Sequence, residues 1–395
     1  MTSMLSQSWV VIVMNLRSLP RRIWMSLAMV LASAVVVAIL LAFLAMARGF
    51  EATLEGAGSD DIAFMLRQGS AAELNSSIVK EQVDLLETAP GVMSDGDGPL
   101  VSPELYVIVD GIKKTTQTEA NIPLRGIHPQ GIKLRNSFQL VQGRMFTEGT
   151  DELIVGEGIL REFDGFELGE EVRFGKYSWK VVGVFSTGGN VFESELWADA
   201  RVIQSLYNRG SSYQSVRMKL SSPEQLAQVQ AFVESEPRLN QDTQSEAEYF
   251  SQQGQSLSYM ALFGRIISSI MALGALAGAL NTMYTSVSDR ATEIATLRAI
   301  GFSHMSAFIG TMVEAMTLAT IGGIVGSIAA FLLFDGINAS TLGGSFTQVV
   351  FKFELTPDLF KQGAYLALII GFFSGVFPAW RAARVPVMTA FQNAR

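Results

Sequence analysis

Apolar residues along this 395-residue chain gather in four long runs. Ile23 to Ala47 gives 25 residues without a charge, Ile266 to Ser288 gives 23, Ala315 to Phe334 gives 20 and Gln362 to Trp380 gives 19. At about 1.5 Å per helical residue, runs of this length cross a hydrocarbon layer of about 30 Å, so each is expected to be a transmembrane helix. Met4 to Leu19 is mostly apolar, with Gln7, Asn15 and Arg17 as polar interruptions, and Pro20 breaks the run before Arg21 and Arg22. That pattern suits an amphipathic helix lying in the interface. The first span exceeds the roughly 7–15 apolar residues of a cleavable leader, and it is expected to remain as an anchor.

From Gly49 to about Gln255 no apolar run is long enough to span, and the texture becomes that of a mixed α/β domain. Leu105 to Val109, Val172 to Phe174 and Trp179 to Phe185 read as strands. The strand-like Tyr213 to Leu220 precedes Ser222-Pro223-Glu224, a helix start with serine as N-cap and proline at the first helical position, predicted to run to about Glu234. Ser94 to Gly98 resembles a calcium loop only superficially, because the later ligands and terminal glutamate are missing, and it reads as a surface turn.

Ser286 to His304 separates two spans with more residues than a connection needs. Ala291, Ile294, Leu297 and Ile300 recur at three to four residues, Arg290, Glu293 and Arg298 lie around them, and Gly301 supplies a helix stop. Two readings fit: a helix on which a partner protein docks, or a membrane-surface helix whose arginines follow the positive-inside rule. The expected organisation is an interfacial helix (1–20), a first span (21–48), an outer domain (49–255), a second span (256–288), a connector helix (286–304), a third span (305–335), an outer loop (336–361), a fourth span (362–383) and a tail (384–395). The fold class is thus a membrane protein with four transmembrane α-helices and a large α/β (α+β) domain inserted between the first and second.

Charge orients this arrangement. Between Gly49 and Gly264 acidic residues outnumber basic ones 31 to 17, whereas the remainder carries 12 basic and 6 acidic residues. An acidic soluble block argues against a nucleic-acid partner. Arginines 17, 21, 22, 290, 298, 381, 384 and 395 crowd one side of the spans, placing the termini in the cytoplasm and the large domain outside. Cysteine is absent, and the two histidines, His128 and His304, fall on opposite sides of the expected membrane, so neither a disulfide framework nor a histidine-based metal or triad site is expected. No GxxxxGK[ST], GxSxG or HExxH occurs, and no catalytic residue, bound cofactor or metal is expected on this chain.

Within the spans, Gly274 with Gly278, Gly322 with Gly326 and Gly371 with Gly375 form GxxxG pairs, and Ala34, Ala38 and Ala42 form a small-residue ladder, which predicts close helix packing in a bundle or dimer. Arg265 opens the second span and is expected to snorkel to outer headgroups. Glu314 enters the third span and needs an internal partner, a hydroxyl such as Ser288 or Thr285, or protonation.

These residues together resemble the FtsX-like permeases of ABC transporters, the group containing MacB and the LolC/LolE membrane subunits, also called type VII ABC transporters. The resemblance rests on VSDRATEIATLRAIGFS after the second span, the acid in GTMVEAMTLATIGGIVG, GVFPAWRAARVPVMTAF at the C-terminus, and VQGRMF, ELIVGEGILREF, FELGEEVRF and WKVVGVF in the outer domain. It implies a permease subunit in a bacterial inner membrane that forms a homodimer, or a heterodimer with a related permease. It also implies a cytoplasmic ATPase subunit that holds the ATP and Mg, and a periplasmic adaptor or carrier protein. By this analogy Ser286 to His304 is the coupling helix, with Arg290, Glu293, Leu297, Arg298 and Gly301 at the ATPase contact. ATP hydrolysis would then move the outer domain, a mechanotransmission that drives export. The alternative output is FtsX-like signalling to a cell-wall hydrolase. Unlike MacB proper, no nucleotide-binding domain precedes the first span.

Overall fold

The structure is a computed structural model that describes residues 4–96, 98–135, 137–342 and 348–384. Two compact units emerge: a membrane unit (Met1–Arg48, Tyr259–Ile337 and Phe353–Arg395) and an outer unit (Gly49–Ser258 and Asn338–Lys352). In chain order the helices are α1 (Met4–Ser18), α2 (Ile23–Glu55), α3 (Lys80–Leu86), α4 (Pro129–Lys133), α5 (Glu157–Glu162), α6 (Ala200–Leu206), α7 (Leu226–Ser235), α8 (Glu246–Asp289), α9 (Ala291–Ala299), α10 (His304–Phe334) and α11 (Pro357–Ala383). Among the described residues four helical stretches are long and apolar enough to cross a membrane: Met4–Glu55, Leu262–Asp289, His304–Phe334 and Pro357–Ala383. Helix α8 starts at Glu246, ten residues ahead of the expected second span, and its 44 residues extend about 66 Å. The polar residues ahead of the apolar run continue the helix because nothing in them breaks it. The segment expected to be one connector helix is divided instead: α8 runs on to Asp289, Arg290 leaves helical geometry at φ −102°, ψ 9°, and α9 covers only nine residues.

Small residues set the packing of the membrane unit, because without a hydrophobic drive between helices in lipid, close backbone approach supplies the contact energy. Gly322 and Gly326 of α10 lie against α2, where a Cβ on Gly326 would come within 2.3 Å of the Ala34 carbonyl oxygen. Gly371 and Gly375 of α11 face Ala319 and Ala315 of α10. Gly274 and Gly278 of α8 differ: among the described residues nothing lies within 4 Å of a Cβ at either. Their face continues through the exposed Ile266, Ile267, Ile270 and Leu273.

The outer unit is built on strands β1 (Ile62–Arg67), β2 (Ile78–Val79), β3 (Ser94–Asp95), β4 (Gly98–Pro99), β5 (Val101–Ile112), β6 (Glu119–Ile127), β7 (Gln139–Gly143), β8 (Glu152–Gly156), β9 (Glu171–Phe174), β10 (Tyr177–Ser186), β11 (Leu196–Asp199), β12 (Ser212–Tyr213), β13 (Ser215–Lys219), β14 (Gln241–Ser245), β15 (Asn338–Leu342) and β16 (Gln348–Lys352). Ten of them form a mixed sheet in the order β14-β1-β13-β5-β6-β11-β8-β10-β7, with β9 on β10. Both β6–β11 and β8–β10 are parallel. The predicted strands fall within β5, β9 and β10, while Tyr213 to Leu220 divides into β12 and β13. A 3-10 turn at Pro223–Gln225 leads into α7, and the Ser222 side chain makes no capping bond. The residues around Ser94 form the short β3–β4 hairpin. Asp97 of that turn and the tail beyond Arg384 lie outside the described residues.

Alternation along the strands gives the sheet two unlike faces. Val101, Leu105, Val107 and Val109 of β5, Leu124 of β6, Val216 and Met218 of β13, and Leu196 and Ala198 of β11 pack into an apolar core with residues of α3, α6 and α7. The opposite face presents Ser102, Glu104, Tyr106, Arg125, Ser215, Arg217 and Trp197, brought side by side by the register pairs Ser215 with Glu104, Arg217 with Ser102, Tyr106 with Arg125, and Arg125 with Trp197. Residues 338–342 and 348–352, expected as part of a connecting loop, instead pair as the antiparallel strands β15 and β16 of the outer unit. The run of β-branched and aromatic residues Val349, Val350 and Phe351, all buried, suits a strand covered on both faces.

Candidate functional site

At the end of the membrane unit where α8, α9 and α10 meet, the sequence places three charges and a serine within one helical reach: Ser286, Arg290, Glu293 and Glu314. Ser286 and Arg290 are four residues apart and so share a helix face, and both are buried, as is Glu314. Arg290 is the branch point. Its Nη1 donates to Glu314 Oε2 at 3.2 Å, its Nε to Glu293 Oε2 at 3.2 Å and its Nη2 to Asn15 Oδ1 of α1. Ser286 Oγ donates to Glu314 Oε1 at 3.4 Å, and Arg22 Nη1, from the 3-10 turn Leu19–Arg22, donates to Ser286 Oγ at 2.8 Å. A buried cation is costly unless paired and hydrogen-bonded, and here every partner of Arg290 is an acceptor.

This geometry settles where the predicted residues lie. Arg290, expected at an exposed contact, is buried because the break after α8 turns its guanidinium toward Glu314. The partner of Glu314 is Arg290 with Ser286, instead of Ser288 or Thr285; both of these are exposed, and the Thr285 hydroxyl donates to its own helix at Asn281 O. Glu293 keeps 59% of its side chain exposed. Leu297 and Arg298 are half-buried, with Arg298 Nη2 2.8 Å from His304 Nε2. Gly301 takes φ +103°, the left-handed stop that favours glycine, and Phe302 N–H returns to Leu297 O at 3.1 Å. The expected apolar stripe is incomplete: Ile294 and Ala295 are buried, whereas Ile300, already outside helical geometry, is 69% exposed. The outward surface of α9 therefore carries Thr292, Glu293, Thr296 and Ala299, with Ile300 exposed just beyond its end. Arg265 is exposed on α8.

The outer unit holds a second charged cluster that the sequence reading missed. Arg125 donates through paired bonds of 2.7–2.9 Å to Glu73 and to Glu195, and through Nη1 to Glu104 at 2.9 Å. Arg135 donates through both terminal nitrogens to Glu104 at 2.8 Å. Arg217 reaches Glu104 at 2.6 Å, Glu73 at 3.1 Å and Glu246 at 2.8 Å. The guanidiniums lie over aromatic rings, Arg217 over Phe64 at 4.6 Å and Arg135 over Phe192 at 4.8 Å. All seven charged side chains are buried. Burial alone would raise the Glu104 carboxyl, but Arg135, Arg217 and Arg125 overcome it and hold the group at about 2. Burial likewise opposes, and Arg125 and Arg217 outweigh, in holding Glu73 well below the usual range. Four carboxylates face three guanidiniums, and burial pushes Glu246, the least paired of them, upward against Arg217. Single charged residues at alternating positions of otherwise apolar strands, Glu104, Arg125 and Arg217, were the signal available in the sequence. Among the described residues no group of three or more His, Asp or Glu is placed to hold a metal.

Comparison with known proteins places these features. A family model described as MacB-like periplasmic core domain matches residues 25–236, and one described as FtsX-like permease C-terminal matches residues 265–387. The macrolide export ATP-binding/permease protein MacB of Nitrobacter winogradskyi is 33% identical over 129 residues, 32% of this chain and 19% of that protein. The ABC transporter permease YknZ of Bacillus subtilis is 23% identical over 296 residues, 70% of this chain and 71% of that one. The match thus spans a fifth of the MacB relative's length but over two thirds of the permease. The solved periplasmic region of MacB from Actinobacillus actinomycetemcomitans aligns with 48% of this chain and 91% of its own at 17% identity, with a TM-score of 0.37.

Proposed function

From the premise that this chain belongs to the MacB/FtsX-like family of ABC transporter permeases, we propose that it is the membrane subunit of an ATP-driven exporter in which α9 receives force from a separate cytoplasmic ATPase. The observation that carries this reading is the two-sided placement of α9: Glu293, Thr296 and Ile300 face outward, while Arg290 ties the same short helix to Glu314 inside α10. A helix that only rested on the membrane surface would have no need of a buried ion pair beneath an exposed acid. In this reading ATP and Mg are held by the partner, the termini are cytoplasmic and the outer unit is periplasmic. The output is movement of that unit against an adaptor or carrier protein, as the export function in the name of the MacB relative suggests. A second permease copy, or a related permease, packs on the uncovered face of α8 that carries Gly274 and Gly278.

Reversal of Glu293 to Lys tests this directly. It puts a cation where the partner offers a basic or donor group, and losing one member of a desolvated charged contact typically costs about 2–5 kcal/mol, at least a roughly thirtyfold loss of ATPase binding. On a helix that met only anionic lipid the substitution would lose the Arg290–Glu293 contact, half of which is exposed and worth about 0–1 kcal/mol, and the added Lys would otherwise be favourable. Co-elution of the full-length permease with the ATPase purified alongside it, and the turnover of that ATPase, distinguish the two. Retention of the ATPase by Glu293→Lys at unchanged turnover rules out the coupling role of α9.

A further inference from the structure

Helix α1 has the polarity expected of an interfacial helix but turns it inside out. Leu5 is 82% and Trp9 66% exposed, while Ser8 and Asn15 are buried. A polar side chain buried on an otherwise apolar helix is costly unless it is hydrogen-bonded, and each polar group on this inward face meets the region around α9. Asn15 Oδ1 accepts from Arg290 Nη2, Gln7 Oε1 accepts from the Ser303 backbone N–H at 3.1 Å, and Ser8 Oγ, which donates to Met4 O of its own helix at 2.9 Å, lies 3.4 Å from Ser306 Oγ. Between them Val11 fills the space beside Gly310, where a Cβ would come within 2.5 Å of its Cγ1. The contacts run for two turns along α1 and land on the start of α10 and on the arginine that joins α9 to Glu314.

We infer that α1 is a working part of the joint around α9, in which Asn15 acts as a positioning residue for Arg290. The inference rests on the coupling role proposed for α9. Arg290 has three acceptors at different directions, Glu293 on the exposed face, Glu314 within α10 and Asn15 on α1. With Asn15 in place the guanidinium is fixed from the far side, and a push on Glu293 is delivered to Glu314 and α10. Without it the guanidinium is free to follow Glu293 outward, and the push is dissipated in one side chain. Because Asn15 is buried and does not contribute to the outward surface of α9, its role separates from partner binding.

The test uses the full-length permease with the ABC ATPase that co-purifies with it from native membranes. Asn15→Leu, similar in size but without an acceptor, is expected to retain co-elution with the ATPase while stimulation of turnover by the permease falls at least fivefold. Asn15→Asp, which keeps an acceptor, is expected to retain at least half of the stimulation. In this cysteine-free chain the pair Ser8→Cys with Ser306→Cys, oxidised to a disulfide, fixes α1 to α10 and is expected to leave stimulated turnover intact. Full stimulation by Asn15→Leu, or loss of stimulation on oxidising the Ser8/Ser306 cysteine pair, overturns the positioning role, and the disulfide arm decides the matter should Asn15→Leu fail to fold. If the wild-type permease neither retains nor stimulates an ATPase, it is the coupling reading of α9 that fails.

Discussion

Arg217 of β13 donates from Nε to Glu246 Oε1, on the first residue of α8, at 2.8 Å, and both side chains are shut off from solvent. The bond ties the start of the longest helix to a central strand of the outer sheet. Removing the two ends of this bond should not be equivalent. Arg217→Met leaves Glu104, Glu73 and Glu246 short of a cation, and stripping one partner from a buried ion cluster costs about 3–5 kcal/mol. Glu246→Gln keeps an acceptor for Arg217 and removes the one carboxylate in excess of the three arginines, so it should cost under about 1 kcal/mol. With Trp9, Trp24 and Trp380 replaced by Phe, Trp179 and Trp197 report on the outer unit alone. Its unfolding midpoint is expected to drop by about 6–20 °C in Arg217→Met, at about 2–4 °C per kcal/mol, and by no more than about 4 °C in Glu246→Gln.

The same cluster predicts a pH profile with two parts. Glu104, held at about 2 against an ordinary 4.5, binds fewer protons folded than unfolded, so its contribution is complete above about pH 5 and is lost as pH falls from 4.5 toward 2. That difference corresponds to about 3 kcal/mol, and Glu73 acts in the same direction. Glu246 acts oppositely: its raised value means that the folded protein binds the proton more tightly, and protonating it on the way down from neutral pH relieves the cluster. The outer-unit midpoint is therefore expected to hold or rise slightly from pH 7 to about 5 and then to fall steeply. In Glu246→Gln the early rise should vanish while the acid fall remains, and a fall that began near neutral pH would contradict this assignment.

Two glycines that look alike in sequence should respond differently to enlargement. Gly326→Leu drives a side chain into the backbone of α2 at Ala34 and should lower the thermal stability of the membrane unit itself. A Cβ at Gly278 has no neighbour within 4 Å among the described residues, so the effect of Gly278→Leu is expected at contact with another subunit. Size-exclusion with light scattering in detergent is expected to show a loss of dimer for Gly278→Leu with little change in melting, and the reverse for Gly326→Leu. An unchanged oligomer in Gly278→Leu would remove α8 from the interface.

The spans and the texture of the outer domain were legible because each depends on a local pattern: uninterrupted apolar runs, alternating strands, and Gly301 ending α9. The burial of Arg290 was not legible. Whether an arginine at the end of a helix points to solvent or inward depends on a one-residue break after Asp289 and on Glu314, 24 positions further on. The outer cluster draws on residues from Glu73 to Glu246, and no periodicity announces that Glu104 and Arg217 will be neighbours. Of the GxxxG pairs, Gly322/Gly326 and Gly371/Gly375 lie against helices of the same chain and Gly274/Gly278 does not, a division that tertiary contacts decide and the motif alone cannot.

The β15–β16 hairpin has a consequence for biogenesis. Val350 N–H donates to Ser194 Oγ at 2.9 Å, Lys113 Nζ to Ser340 Oγ at 2.8 Å, and Phe351 meets Phe50 edge-on at 5.4 Å, so the outer unit is closed by a segment that lies roughly 80 residues beyond Ser258. At about 5–20 residues per second of synthesis, the ribosome completes the first part of that unit about 5–19 seconds before the last residue of the hairpin, Lys352, is made. During that interval the surface around Ser194 lacks the strand that covers it, and insertion of α10, the third span, becomes a step in the folding of the domain outside it.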